Sequence, residues 1–385
     1  MRVQWSRAHC GGAWVISGYD EVAFALRDPR FTVRRAARWI NSGLGETAAD
    51  DDARRFKRLF SRSLLFLDGR AHRRLRGVLN PGLKPADLQA QHAGITSIAH
   101  LLIDAIMADP QAAGGFDFIS RFARPLPALV IAQLMGLPGR VPAQFIDWAA
   151  DLAAFIGSPT PDAAQTRAAQ LAMDSLCDFF AQTLAQPAEL PAGSLMHGLL
   201  EAHAEGRLNR VELLAQCATL LFAGYETTRN LLGNGLLALL RHPQQWAALK
   251  AQQGQTGALR LAVREMLRHD SPVQYTGRRL LQDVPLAGQT LRRGQLAILH
   301  IGQANHDARR FRDPQRFDIG RDEGMHLSFG QGPHACLGAA LTQLEAEIAF
   351  TALMQRLPTL TLGEQAPVWQ DNAAYRALAS LSVFF

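Results

Sequence analysis

The sequence predicts a mainly α-helical protein with small β-sheets. Three observations carry that prediction. Apolar residues recur at helical spacing over much of the chain. One segment, from Asn209 to Arg241, sustains the pattern over a length of about 50 Å at 1.5 Å per residue. Strand-like runs are short and few. The 385 residues suffice for a large buried core. No linker, repeat or low-complexity run divides them, so a single domain over 1–385 is expected.

Taken in order, the first strand candidate is WVIS at 14–17. The stretch 116–136 shows helical spacing after Pro127 and stops at Gly136, with Pro138 beyond. Residues 163–185 repeat the pattern. In the long segment, Asn209 followed by Glu212 resembles a capping box, and His242-Pro243 closes it. It is apolar nearly all round and therefore belongs in the interior. Gln216, Glu226, Arg229, Asn230 and Asn234 interrupt it too often for a membrane span. QLAILHI at 295–301 and the C-terminal LASLSVFF are the later strand candidates.

Formal net charge is +6, carried mostly by arginine. The arginines are scattered, and no helix-turn-helix, zinc-finger or RNA-binding signature accompanies them, so nucleic acid is not an expected partner. A basic face for an acidic protein partner fits better. Of Cys10, Cys177, Cys217 and Cys336, none forms a CxxC pair, which signals neither zinc nor a redox dithiol. The N-terminus has no apolar signal core or membrane anchor, so a cytoplasmic protein with reduced thiols is expected.

Four stretches carry chemistry. In AGYETT, residues 223–228, burying Glu226 is costly unless something pairs with it. Gly224 leaves room for a close approach, and Thr227 can bond back to a carbonyl or release it to a water. The pair reads as a proton relay or, more blandly, as a solvated glutamate beside a back-bonded threonine. In REMLRH, Glu265 and Arg268 share a helical face, a common surface pattern. In FRDPQRFDIGR, either Arg316 or Arg321 can join them in a buried cluster, or the segment is a surface loop. In FGQGPHACLG, glycines bracket Cys336 at the start of a helix. The thiol is either a small buried hydrophobe or a thiolate metal ligand supported by backbone N–H groups and the helix dipole.

FGxGxHxCxG is matched by Phe329, Gly330, Gly332, His334, Cys336 and Gly338, which resembles the haem-binding signature of the cytochrome P450 family. AGxET, ExxR and a Pro-x-Arg-Phe segment appear in the family's order and rough spacing, and RPLPALVIAQLMGLP at 124–138 is similar to soluble bacterial members. The likeness runs from about Trp14 to the C-terminus.

The resemblance implies the cytochrome P450 fold, with haem b between the long central helix and the helix after the Cys loop. It implies Cys336 as axial thiolate, Phe329 shielding the sulfur, and Gly330 and Gly338 permitting close contact with the ring. Glu226 and Thr227 would deliver protons, and Ala223 and Gly224 would border the oxygen and substrate space. Glu265 and Arg268 would brace the core, with Arg316 as third partner. His72, Arg76, Arg278, His326 and His334 would serve the haem carboxylates, Arg279 being a rival for Arg278. Substrate contacts would come from Ala223, Gln274 and Tyr275, within 36–66, 150–190 and 273–276. The implied reaction places one oxygen atom of O2 in a small, largely apolar organic substrate, in bacterial secondary metabolism. Electrons would come from a ferredoxin- or flavodoxin-type donor with its reductase, for which Arg70, Arg73 and Arg74 are either a docking patch or a solvated helix face.

The chain departs from the family in an N-terminus shorter than usual, in Asn305-His306-Asp307-Ala308 where Asn-Arg-Asp-Pro is usual, and in Gln343 where arginine is common. A peroxygenase, a haem-thiolate isomerase or dehydratase, and a non-catalytic haem sensor are the rival readings. The first two usually lack the Glu226–Thr227 pair, and a sensor needs an output domain.

Overall fold

The computed structural model describes residues 2–9, 11–35, 39–41, 51–137, 144–158, 160–255 and 257–385. Cys10 and parts of the expected substrate region (36–38, 42–50 and 159) lie outside them.

Helices dominate, and the sheets are small. The central helix is Arg210–Arg241. Its capping box forms as the sequence predicts: Glu212 N donates to Asn209 Oδ1 at 2.9 Å, and Asn209 N donates to Glu212 Oε2 at 3.1 Å. The helix is buried over most of its length, packed by the helices Pro125–Met135, Ala163–Leu184, Ala258–His269 and Ala339–Arg356. Two of its buried amides are answered by backbone partners. Gln216 Nε2 donates to Arg62 O at 2.7 Å, and its Oε1 accepts from Leu64 N at 3.0 Å. Asn234 Nδ2 donates to Arg376 O at 2.8 Å. These bonds offset desolvation, so the polar interruptions that exclude a membrane span act as anchors between the helix and its surroundings. No helix of the described residues is long and apolar enough to cross a membrane.

The helix Pro125–Met135 begins on proline and ends at Gly136, whose φ of 76° is left-handed, as the Pro127–Gly136 pattern predicts. Residues 116–123 lie ahead of that pattern and are not α-helical. Phe116–Asp117 is a strand and Ile119–Ala123 a single π-helical turn, because Phe116 and Asp117 pair with the C-terminal strand Ser382–Phe384.

The largest sheet has five strands, in the order Val3–Ser6, Ala13–Ile16, Leu296–Leu299, Thr276–Leu280, Phe31–Thr32. Ala13–Ile16 runs parallel to Leu296–Leu299, and the other pairs are antiparallel. This sheet carries Arg278 opposite Ala297. One hydrophobic cluster fills the helical body, and a second lies between this sheet and the helix Tyr19–Arg27.

Candidate active site

The Cys loop is a tight hairpin. Gly330 and Gly332 sit at φ 65° and 74°, where a side chain is strained, and a Cβ on Gly332 would lie 3.0 Å from Arg27 Cα. Cys336 N donates to Phe329 O at 2.7 Å, and Ala335 N to Gly332 O at 3.0 Å. The helix Ala339–Arg356 follows directly, with Gly338 as its N-cap. Cys336 opens onto an internal cavity of about 850 Å³. Burial raises its thiol pKa, while the Gly338 N–H and the Arg76 charge work in the opposite direction.

The loop is stitched to the helix Gly69–Leu79. Arg76 Nη1 donates to Pro333 O at 3.1 Å and to Ala335 O at 2.8 Å. His334 Nε2 pairs with Asp68 Oδ1 at 2.9 Å. Desolvation favours protonation of Asp68, but the hydrogen bonds from His334, Thr32 and Val33 outweigh it and hold the carboxyl down at about 2. Asp68 is a site residue that the sequence reading missed. Its partner lies 266 positions away, and no local pattern links the two.

Across the cavity, the central helix presents Ala223, Gly224, Glu226 and Thr227. Thr227 Oγ1 makes only a long contact to Ala223 O, 3.4 Å, so its hydroxyl is held loosely. Glu226 is buried, with Arg229 Nη2 at 3.1 Å and Asn230 Nδ2 donating at 3.3 Å. Burial raises its pKa, and Arg229 and Asn230 counter that. Those two residues, which the motif reading left without a role, thus hold the acid in place. A Cβ on Gly224 would lie 2.9 Å from the Ile131 side chain, so the close approach it allows is that of a neighbouring helix.

A cationic end completes the cavity. Arg278 is buried and donates from Nη1 to Thr276 Oγ1 and Gly277 O, both at 2.9 Å. Among the described residues no carboxylate forms an ion pair with it, and desolvation followed by the Arg35 charge pulls its pKa down to about 10. His72 Nε2 is buried without a hydrogen-bond partner, and burial pushes the ring down to about 4. Arg279 also lines the cavity but is less buried than Arg278.

His326 is buried against Phe329, with ring centroids 5.5 Å apart; its Nδ1 accepts from Ser328 N, and its Nε2, like that of His72, is buried without a hydrogen-bond partner. Three expectations need correction. Gln274 is absent from the cavity lining. Its Nε2 donates to Ser271 O at 2.7 Å and its side chain packs on Gly302, while neighbouring Tyr275 does line the cavity and donates to Gly157 O at 3.1 Å. The third side chain of the buried cluster is Arg321, not Arg316. Arg321 Nε lies 3.3 Å from Glu265, whereas Arg316 is exposed and contributes only its carbonyl. The Asp318–Arg321 turn brings Arg321 back over Glu265. Arg74 is engaged by the buried Glu212 at 2.5 Å, which leaves Arg70 and Arg73 to face outward.

Within that cluster, Arg268 donates to both Glu265 oxygens, at 2.7 and 2.8 Å, and to Asn305 O and Pro314 O, at 2.9 and 2.8 Å. Asn305, fully buried, extends the network. Its Nδ2 donates to Ser271 Oγ and Ser328 Oγ, and its Oδ1 accepts from Leu327 N at 2.7 Å. The Glu265–Arg268 pair therefore fixes the residues that lead into the Cys loop.

A family model described as Cytochrome P450 matches residues 44–377. The chain is 33% identical over 375 residues to the "Biotin biosynthesis cytochrome P450" of Bacillus subtilis (strain 168), covering 97% of this chain and 90% of that protein. It is 35% identical over 376 residues to "Cytochrome P450 monooxygenase PikC" of Streptomyces venezuelae, covering 96% and 84%. The solved structure of P450BioI in complex with hexadec-9Z-enoic acid ligated Acyl Carrier Protein superposes with a TM-score of 0.86 at 32% identity, over 97% of this chain and 92% of that one.

Proposed function

The chain belongs to the cytochrome P450 family and is a haem-thiolate monooxygenase, and from that premise we propose that the cavity beside Cys336 would hold haem b and that Glu226 and Thr227 pass protons into that cavity. The observation that carries this reading is the placement of Cys336 on one wall of the cavity and the acid–alcohol pair on another.

The residues present fit the group. Arg278 is a buried cation with no ion-pair partner among the described residues, and His72 Nε2 is a buried donor or acceptor with none. Both suit the carboxylates of a porphyrin, with Arg76 and His334 beside them. A Cβ on Gly338 would meet nothing within 4 Å, so a flat ring can lie there. The absence of a CxxCH attachment motif supports haem b over a covalently bound haem.

When bound, the haem supplies the redox chemistry of O2 activation, with the thiolate favouring O–O cleavage. The chain's own residues do the rest. Gly338 N–H and the start of the Ala339–Arg356 helix steady the charge on Cys336 Sγ. Thr227 Oγ1, held by one long bond, is free to rotate and pass a proton into the cavity. Glu226, held between Arg229 and Asn230, is the reservoir behind it. Leu64, Phe66, Leu220, Phe222 and Val273 make a largely apolar wall for an organic substrate. We further propose a cytoplasmic enzyme that forms one domain and receives electrons from a ferredoxin- or flavodoxin-type protein with its reductase.

Two measurements test this reading. Reduced protein with CO should give the Soret band of thiolate ligation, and Cys336→Ser should abolish it. An imidazole-type spectrum in the unaltered protein would refute the assignment. Thr227→Ala should divert most reducing equivalents from product to hydrogen peroxide, read as NADH consumed against peroxide formed with surrogate ferredoxin and reductase. Full coupling in that variant removes Thr227 from the relay.

A further inference from the structure

Near the C-terminus the chain returns to the cavity and brings in a phenol that the sequence reading did not single out. Gln274 N donates to Ala374 O at 2.7 Å, and Arg376 N donates to Pro272 O at 3.0 Å. Between these bonds Val273 and Tyr375 stand opposite each other as an antiparallel bridge. Residues directly opposed in such a pair project to the same side. Val273 lines the cavity, and Tyr375 lines it beside Val273. The turn that leads there is fixed by Asn372. Its Oδ1 accepts from Ala374 N at 3.1 Å and from Tyr375 N at 3.0 Å, and its Nδ2 donates to Ala153 O at 3.2 Å in the helix Phe145–Gly157. Main-chain bonds therefore place Tyr375, and its hydroxyl is not spent on holding it.

That hydroxyl is unpartnered. Tyr375 is only 8% exposed, yet among the described residues its Oη makes no hydrogen bond. It is not sealed inside the protein either, as the unpartnered Tyr225 hydroxyl is. The groups that act electrostatically on it, Glu226, Arg35 and Tyr275, all line the same cavity, so the hydroxyl faces that space. Burial, and after it the Glu226 charge, raises the phenol pKa, which keeps the group a neutral O–H donor. The wall it shares with Leu220, Phe222 and Val273 is largely apolar. A donor stripped of water in such a setting gains by meeting an acceptor on a ligand. A carboxylate would have to shed its own water to enter the same space, so the acceptor that suits the site is a neutral oxygen.

We propose that the Tyr375 hydroxyl donates a hydrogen bond to the substrate and selects apolar molecules that carry a neutral acceptor oxygen, a ketone or ester carbonyl above all. The proposal rests on the haem-thiolate reading above and names the substrate class of that same site. Apolar walls alone hold a molecule in many orientations, whereas one bond from a fixed donor decides which part of it faces the reacting centre.

The test compares para-butylacetophenone with the alkene of the same shape, in which a methylene group replaces the carbonyl oxygen. Dissociation constants are measured on the haem-loaded enzyme by the Soret shift and by calorimetry, with haem content determined in each sample. Tyr375→Phe should weaken binding of the ketone about tenfold and leave the alkene and the haem content unchanged. The infrared stretch of an isotope-labelled carbonyl on the bound ketone should lie below its value in an apolar solvent, and should return to that value in Tyr375→Phe. An unshifted stretch in the unaltered enzyme overturns the proposal and needs no variant. Equal affinity of the two proteins for the ketone, absence of binding to either included, also overturns it, as does an equal loss for ketone and alkene, which would make Tyr375 a part of the wall and nothing more. The reduced CO spectrum of the same preparation keeps the two readings apart: with the thiolate band present, a missing carbonyl effect rejects only the Tyr375 contact.

Discussion

Glu226 and Thr227 are adjacent in sequence but differ in setting. Glu226 is packed away and its proton affinity is raised by burial, while Thr227 faces the cavity on a weak bond. A donor whose pKa lies above the ordinary carboxylate range stays protonated closer to neutral pH, where it can give its proton up. The sign of its pH dependence follows: activity that needs the protonated acid declines as pH rises through that elevated pKa. Arg229 opposes the elevation. Arg229→Gln should therefore move the alkaline limb of the kcat profile to higher pH, and Glu226→Gln should lower kcat by about a hundredfold and remove the limb. Profiles of the three proteins with one substrate check both points. The motif alone gave the acid–alcohol pair, because residue type and spacing carry it. It could not show how a buried carboxylate is tolerated, because that depends on which way Arg229 and Asn230 point within the packed helix.

At the level of elements, the cluster around Glu265 shows where local pattern ends. The Glu265–Arg268 spacing on one helix is legible, since three residues apart is a neighbour relation. The choice between Arg316 and Arg321 is not, because both fall in an irregular segment whose path is set by turns closing on other elements. The structure puts Arg321 within 3.3 Å of Glu265, with 6% of its side chain exposed, and leaves Arg316 outside. Arg321→Ala should cost about 3 kcal/mol, as when one partner of a buried ion pair is removed. Arg316→Ala should stay within about 0.5 kcal/mol, as a surface change does. Urea midpoints of the two haem-loaded variants decide it. Equal losses would reject the assignment. Asn305 was passed over for the same reason. Its neighbours in sequence read as a departure from a motif, yet its side chain joins the Arg268 network to the backbone of Leu327. Helix ends were easier: Asn209, Glu212 and Gly136 act through bonds to residues only a few positions away.

On the scale of the whole molecule, charge and topology matter most. Arg70 and Arg73 stay exposed near the start of the helix whose last turn holds the Cys loop, while Arg74 is committed to Glu212. Arg70→Glu with Arg73→Glu should slow reduction by an acidic ferredoxin about tenfold at low salt, with the gap closing as ionic strength rises and substrate affinity unchanged. Stopped-flow reduction across a salt series reads this directly, and salt-independent rates would dismiss the docking face. The parallel pairing of Ala13–Ile16 with Leu296–Leu299 has a consequence of a different kind. During translation the earlier strand leaves the ribosome tens of seconds before its partner is made, at about 5–20 residues per second. Until then its edge is open and its apolar face is uncovered, which is the state that chaperones bind and that aggregates at high expression. Slower growth at lower temperature during production should therefore raise the yield of this chain by giving that late closure time to outrun misassociation.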